Sequence, residues 1–405
     1  MTDVRFLGPD TDAYVASVER HAAEFEEQTG LELDIRIIPS DEYFSNRIHH
    51  LLDGPEAADV YMSGPVLVWE HAAAGYVEPL DPFLGRYDGH DFVDRLLACN
   101  RWSGRFGDPL GEGPLLEIPV NCESYNLAYV PALLEDAGLA VPLSWDEYYD
   151  AARTVARMPG GVRGFGQRGT DAWHTMYTGF ATQLWSYGGA DFVDGRCAIG
   201  DPPALLATTE FLDALRDAGP VDWLDQRWYE LALDFARGRY ALLVDSDHYV
   251  AYFEEPSTSE LVGEIGYAPP PVGPTGLRRP NLWTWSVVMN TRAADKEAAW
   301  RFVEWATGRD FLLRSVFEGN MNPTRTSIWE DERFRAHTAG WGAFYDVARM
   351  LVERDAFVLV TPAGNYLEIA RRWVQALLDS YAGRAPVADA LEAAAVDIDR
   401  LVSRA

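Results

Sequence analysis

Residues 4–74 repeat one local pattern three times: a short apolar run, a turn, and a stretch with apolar residues at helical spacing. The runs are Val4–Leu7, closed by Gly8-Pro9-Asp10, then Leu31–Ile38, then Asp59–Met62, closed by Ser63-Gly64-Pro65. The spacing predicts helices after them over about 12–29, about 41–52 with Asp41 as its cap, and about 65–74. Short right-handed crossovers between such strands give a parallel sheet with helices on its faces. Ligands of α/β sheets gather beyond the carboxyl ends of the strands. That expectation brings Asp10, Tyr43, Ser63 and Gly64 near a possible site.

A chain of 405 residues exceeds what one core serves, so two lobes are expected. The formal charge of −29 would repel a phosphate backbone and an anionic membrane alike, and neither is expected as a partner. Lys296 is the only lysine. Cys99, Cys122 and Cys197 lack CxxC or metal-ligand spacing and read as buried small residues. No apolar run reaches the ~18–20 residues of a membrane span, and Met1–Asp10 has neither the basic start nor the apolar middle of a secretory leader. Taken alone, this leaves two compartments open: the cytoplasm, or the exterior with a leader outside this sequence.

In Asn281–Asn290 two tryptophans alternate, so Trp283 and Trp285 share one face of a strand, and Val287–Met289 follow as an apolar run. The stretch reads either as a core strand with an aromatic plug or as a stacking surface for a flat ligand face. Three segments are too polar or too proline-rich for core strands: Leu115–Tyr129, Ile265–Pro271 and Asn320–Arg325. They read as crossings between lobes, giving 1–117 with 270–320 and 118–269 with 321–405. Glu123 and Tyr125 alternate along the first crossing, and Arg325 closes the third.

Gly164-Phe-Gly-Gln-Arg-Gly169 has the GxGxxG form, but it does not follow the first strand of the chain and no acidic residue stands in a clear second strand after it, so no nucleotide is expected. Read as a strand turning toward a site, it aims Gln167 and Arg168 there, and Arg168 could form a forked hydrogen bond or an ion pair. Tyr240–Val244 reads as a strand delivering Asp245-Ser-Asp247-His248. These residues lack the third and fourth ligands of a metal site and the glycine of a calcium loop, so no metal and no cofactor is expected. Trp173, Tyr177 and Trp185 fall on one face of a helix predicted over 173–187, a core stripe whose first member could reach a site. Glu123 with Asp245 or Asp247 is the one carboxylate pair a glycosidase reading would use. HExxH, GxSxG and a phosphate loop are absent from the sequence.

Ile118–Tyr129, Leu133–Gly138 and Leu143-Ser-Trp-Asp-Glu-Tyr148, then Gly238–Asp247, Ile265–Pro274, Asn281–Ser286, Ala298–Phe302 and Asn322–Arg325 form an ordered series. In that order the chain resembles the extracellular solute-binding proteins of carbohydrate ABC importers. Arg168-Gly169, Asp245-Ser-Asp247 and Asn281–Trp285 look most similar to the polyol and small-sugar branch. The resemblance implies an α/β, two-lobe periplasmic-binding-protein fold of type II kind, with each lobe a sheet flanked by helices and a hinge of several crossings. It also implies non-catalytic capture of a sugar or sugar alcohol between closing lobes, a monomer outside the membrane, and the membrane subunits of an ABC importer as partner. The contacts expected are Asp10, Tyr43, Glu123, Arg168, Trp173, Asp245, Asp247, Trp283, Trp285 and Arg325. A carbohydrate-active enzyme and an intracellular sugar sensor are the competing readings.

Overall fold

The computed structural model describes residues 3–10, 12–45, 48–170, 173 and 179–403. Its strands are β1 (Asp3–Pro9), β2 (Glu32–Ile38), β3 (Val60–Ser63), β4 (Ile118–Tyr129), β5 (Arg163–Gly166), β6 (Phe192–Val193), β7 (Arg196–Cys197), β8 (Tyr240–Ser246), β9 (Gly266–Ala268) and β10 (Leu282–Met289). The chain divides into two compact units: Met1–Cys122 with Trp283–Phe334 and Pro362–Tyr366, and Glu123–Leu282 with Arg335–Thr361 and Leu367–Ala405. The sequence places the changeovers at 118, 270 and 321; those of the units fall at 123, 283 and 335, with 362–366 returning to the first unit.

In the first unit the strand order is β2-β1-β3-β10. β1 runs parallel to β2 (Phe6↔Ile35) and to β3 (Phe6↔Val60), as the threefold repeat predicts. β10 joins antiparallel to β3, with Ser286 opposite Ser63 and Met289 opposite Val60. Helix α1 (Ala13–Thr29) starts at Asp12, whose Oδ1 accepts from the amides of Tyr14 (2.9 Å) and Val15 (3.1 Å), and stops at Gly30 in the left-handed region, φ 70°. Such a cap contributes about 1 kcal/mol.

The helix predicted over 41–52 is instead two short ones, α2 (Ser40–Phe44) and α3 (His49–Leu52), with residues 46 and 47 outside the described set. Pro39 holds the N-cap position and has no side chain to accept a hydrogen bond, so Asp41 lies inside the first turn, where its charge faces the helix N-terminus. α4 (Pro65–Ala73) follows β3 directly, with proline at its first position. Phe6 of β1 meets Phe302 at 5.0 Å between ring centroids, and Phe25 of α1 meets the same ring at 5.6 Å. Phe302 belongs to the helix Lys296–Ala306, which Asp295 caps and whose Lys296 pairs with Glu78. Burying each such ring stabilises the unit by roughly 1.5–3 kcal/mol.

In the second unit β8 lies between β4, antiparallel (Asn126↔Asp245), and β5, parallel (Gly166↔Leu243); β9 pairs antiparallel with β4 (Leu127↔Ala268), and β6 and β7 form a separate hairpin. The helix Trp145–Ala156 begins with a capping box: Ser144 Oγ accepts from the Glu147 amide, and the Glu147 carboxylate accepts from the Ser144 amide. Its Tyr148 and Tyr149 close on Phe165 of β5, each at 5.8 Å between centroids. The helix predicted over 173–187 is present as Gly179–Ser186; residues 174–178, Tyr177 among them, lie outside the described set. Cys99, Cys122 and Cys197 are buried and unbridged. Among the described residues no helix is long and apolar enough to cross a membrane.

Candidate functional site

Beyond the carboxyl end of β5 the chain is clamped where it carries Arg168. A β-carbon on Gly169 would come within 2.2 Å of the Trp223 carbonyl oxygen, so only glycine lets the two backbones approach this closely. The Gly169 amide donates to the Gln226 carbonyl (2.9 Å), and Trp223 Nε1 donates to the Arg168 carbonyl (2.8 Å). The backbone being fixed, the side chain reaches the end of β8. Arg168 Nε donates to both carboxylate oxygens of Asp245, at 3.1 and 3.0 Å; Nη2 donates to Asp245 Oδ1 and to the Tyr125 hydroxyl (3.2 Å). The guanidinium carbon lies 5.8 Å from the Tyr125 ring centroid and 5.6 Å from that of Tyr249, so both rings add cation–π attraction.

Both partners of this pair are buried. Burial works against the charge on Arg168, but Asp245, then Tyr125 and Tyr249, hold its pKa above the ordinary value. Burial pushes Asp245 upward while Arg168 pulls it down. We take the pair as ionised, because the guanidinium meets both carboxylate oxygens in a forked geometry that neutral partners would not favour. Burial raises the Tyr125 and Tyr249 phenols well above their ordinary range, so both stay neutral hydroxyls.

Asp247, at the start of the turn after β8, accepts from the Ser124 amide (2.9 Å) and from Ser124 Oγ. The adjoining Glu123 is partly exposed and close enough that its charge acts on Tyr125, Asp245 and Tyr249. Among the described residues no group of three or more His, Cys, Asp or Glu side chains is arranged to hold a metal ion. Two buried polar atoms beside this cluster have no hydrogen-bond partner among the described residues: the Tyr249 hydroxyl, and Nδ2 of Asn126, which faces Asp245 across the β4–β8 ladder. Sequence reasoning missed Tyr249 and Asn126. Tyr249 follows the acidic loop by two positions, but nothing in its local pattern signals that it is buried.

The first unit presents an aromatic cluster at the carboxyl end of β3. Trp283 and Trp285 meet at 5.2 Å between centroids in an edge-on arrangement, and Phe44 packs on Trp285 at 5.2 Å. Trp283 is buried against Gly64, whereas Trp285 is partly exposed. Tyr43 is buried and its hydroxyl donates to the Met62 carbonyl, joining α2 to β3. Asp10 accepts from the amide and hydroxyl of Ser40, both at 2.7 Å, fixing the start of α2.

Arg325, expected as a ligand contact, makes an extensive set of bonds inside the first unit. Its Nε and Nη2 donate to the Thr307 carbonyl at 3.1 and 2.8 Å, Nη2 also donates to the Asp88 carbonyl (2.9 Å), Nη1 pairs with Asp91, and the group lies 4.1 Å from the Phe92 centroid. A guanidinium so fully engaged holds its own loop together. Trp173 is buried in the second unit. Of the expected residues, the structure thus gathers Glu123, Arg168, Asp245 and Asp247 in one unit and Tyr43, Trp283 and Trp285 in the other.

The fold matches solved structures along its whole length. A solute-binding protein of an ABC transporter from Agrobacterium radiobacter K84, in complex with ribitol, aligns with a TM-score of 0.86 at 21% identity, covering 99% of this chain and 98% of that one. Another from Agrobacterium vitis S4, with bound D-mannitol, aligns with a TM-score of 0.80 at 20% identity, covering 100% and 99%. In sequence, the erythritol/L-threitol-binding protein of Mycolicibacterium smegmatis is 28% identical over 384 residues, 91% of this chain and 80% of that protein. The profile of one family spans residues 8–310, from the end of β1 through β10 and the helix behind it, and on that match the chain belongs to the bacterial extracellular solute-binding proteins.

Proposed function

We propose that this protein captures a sugar alcohol or small sugar and presents it unchanged to the membrane subunits of an ABC importer, acting as a monomer outside the cytoplasmic membrane. The observation that carries the ligand class is the Arg168–Asp245 pair between Tyr125 and Tyr249, beside the buried Tyr249 hydroxyl and Asn126 Nδ2, which have no hydrogen-bond partner among the described residues. A ligand hydroxyl both donates and accepts, so it can serve such groups, whereas an apolar ligand would leave them unsatisfied. Glu123, Arg168, Asp245 and Asp247 are assigned to hydroxyl recognition in the second unit. Trp285, with its partly exposed ring, is the first unit's candidate for contact with C–H faces. Asp10, Tyr43 and Trp283 are assigned to holding the surface on which Trp285 sits.

The relatives support the class: one is named for erythritol and L-threitol, and two solved neighbours hold ribitol and D-mannitol. A thermal-shift screen of four- to six-carbon alditols, monosaccharides and disaccharides tests it, since a ligand of the folded state raises the midpoint by mass action. At least one alditol or monosaccharide is expected to shift the midpoint in a dose-dependent way; a flat response across the panel would reject the ligand class. Recovery of a cleaved or modified sugar after prolonged incubation would reject the non-catalytic reading.

A further inference from the structure

An arginine at the heart of a binding cluster ordinarily marks a site for carboxylate or phosphate, because its fork matches two anionic oxygens. Here the fork is already taken. Nε and Nη2 of Arg168 meet Asp245, and among the described residues none of its hydrogen bonds comes from Nη1. The guanidinium therefore offers N–H donors while its charge is balanced within the protein. Glu123 adds further negative charge beside the pair, and the arginine is 8% exposed, where salt screens poorly.

On the reading that this cluster binds the cargo, we propose that it selects uncharged polyhydroxy compounds and refuses their acidic counterparts, with Asp245 as the residue that sets this preference. A hydroxyl can accept from Arg168 Nη1 and donate to a neighbouring carboxylate. An aldonate or sugar phosphate at the same place meets a neutralised arginine and the carboxylates of Asp245 and Glu123. Juxtaposed like charges suppress such partners strongly.

Titration calorimetry with erythritol, ribitol and D-mannitol, each beside its aldonate and its terminal phosphate ester, tests this. For whichever alditol binds, both acidic forms are expected to bind at least about 100-fold more weakly to the wild-type protein. Asp245→Asn leaves the guanidinium unbalanced; it is expected to weaken the alditol and shift the aldonate-to-alditol affinity ratio toward the acid by about tenfold or more. Should that variant fail to fold, Glu123→Gln, at a partly exposed position, is expected to move the ratio the same way by about threefold. An acid binding as tightly as its alditol, or a ratio unmoved in both variants, overturns the inference. Silence toward every alditol and every acid would overturn the proposed function itself, and this preference with it.

Discussion

Trp283 lies so close to Gly64 that a β-carbon on residue 64 would stand 2.4 Å from the indole Cζ2, 2.6 Å from Cε2 and 2.9 Å from the Thr284 carbonyl oxygen. The glycine after β3 is thus what lets β10 carry a tryptophan across that strand's end. Gly64→Ala is expected to destabilise the protein by about 1–3 kcal/mol through overpacking, read as a lower unfolding midpoint in denaturant. Gly85→Ala, where the new carbon would meet nothing within 4 Å, is the control and is expected to be near neutral.

The two tryptophans separate by burial. Trp283→Ala empties a buried site and is expected to cost about 3–5 kcal/mol of stability. Trp285→Ala, at a partly exposed position, is expected to cost clearly less stability and more affinity. Chemical denaturation and ligand titration on both variants check this; equal stability losses with unchanged affinity would return the pair to a purely structural role.

Removing one partner of the Arg168–Asp245 pair leaves the other as a buried, uncompensated charge, so Arg168→Met alone is expected to lose roughly 3–5 kcal/mol. The double replacement Arg168→Met, Asp245→Leu is expected to lose less than the sum of the single changes, and a double-mutant cycle measures the coupling. Neither single nor double variant is expected to retain ligand affinity.

Arg325→Met tests the bonds that Arg325 makes. It is expected to lower the unfolding midpoint, because Asp91 and the Thr307 and Asp88 carbonyls lose their donor. The folded variant is expected to keep its ligand affinity within about twofold, as for a residue remote from the contact. A large loss of affinity with unchanged stability would restore Arg325 to the ligand.

The pH response has two opposed parts. Burial, followed by the neighbouring His49, lowers His71 from its ordinary 6.5 to about 3, and burial lowers His49 as well. Below 6.5 the unfolded chain therefore binds protons that the folded one does not, and stability falls as pH drops from 6.5 toward 3. Asp191, buried with its carboxylate accepting from the Thr361 amide and hydroxyl, is raised by that burial to about 6. Its folded value exceeds the unfolded one, so it lowers stability as pH rises from 3.8 to about 6. Thermal midpoints between pH 4 and 7 are expected to show a flatter loss on acidification in His71→Gln and a steeper one in Asp191→Asn.

What the sequence made legible was local. The threefold strand–helix pattern, the start of α1 near Asp12 and the apolar Val287–Met289 run follow from spacing rules applied over a few residues. The pairing of arginines was not legible. Arg168 meets a carboxylate 77 positions away and Arg325 one 234 positions away, and no local pattern says which aspartate folding brings to which guanidinium. The same blindness to burial hid Tyr249 and Asn126, and the bonds by which Asp10 and Tyr43 hold α2 were not legible either.

The pre-formed ion pair at Arg168 bears on the ionic conditions of binding as well as on the proposed ligand choice. A receptor whose cationic group carries its own counter-ion takes up cargo without recruiting or shedding ions. On the proposed function, binding of an uncharged ligand there is expected to depend little on salt concentration.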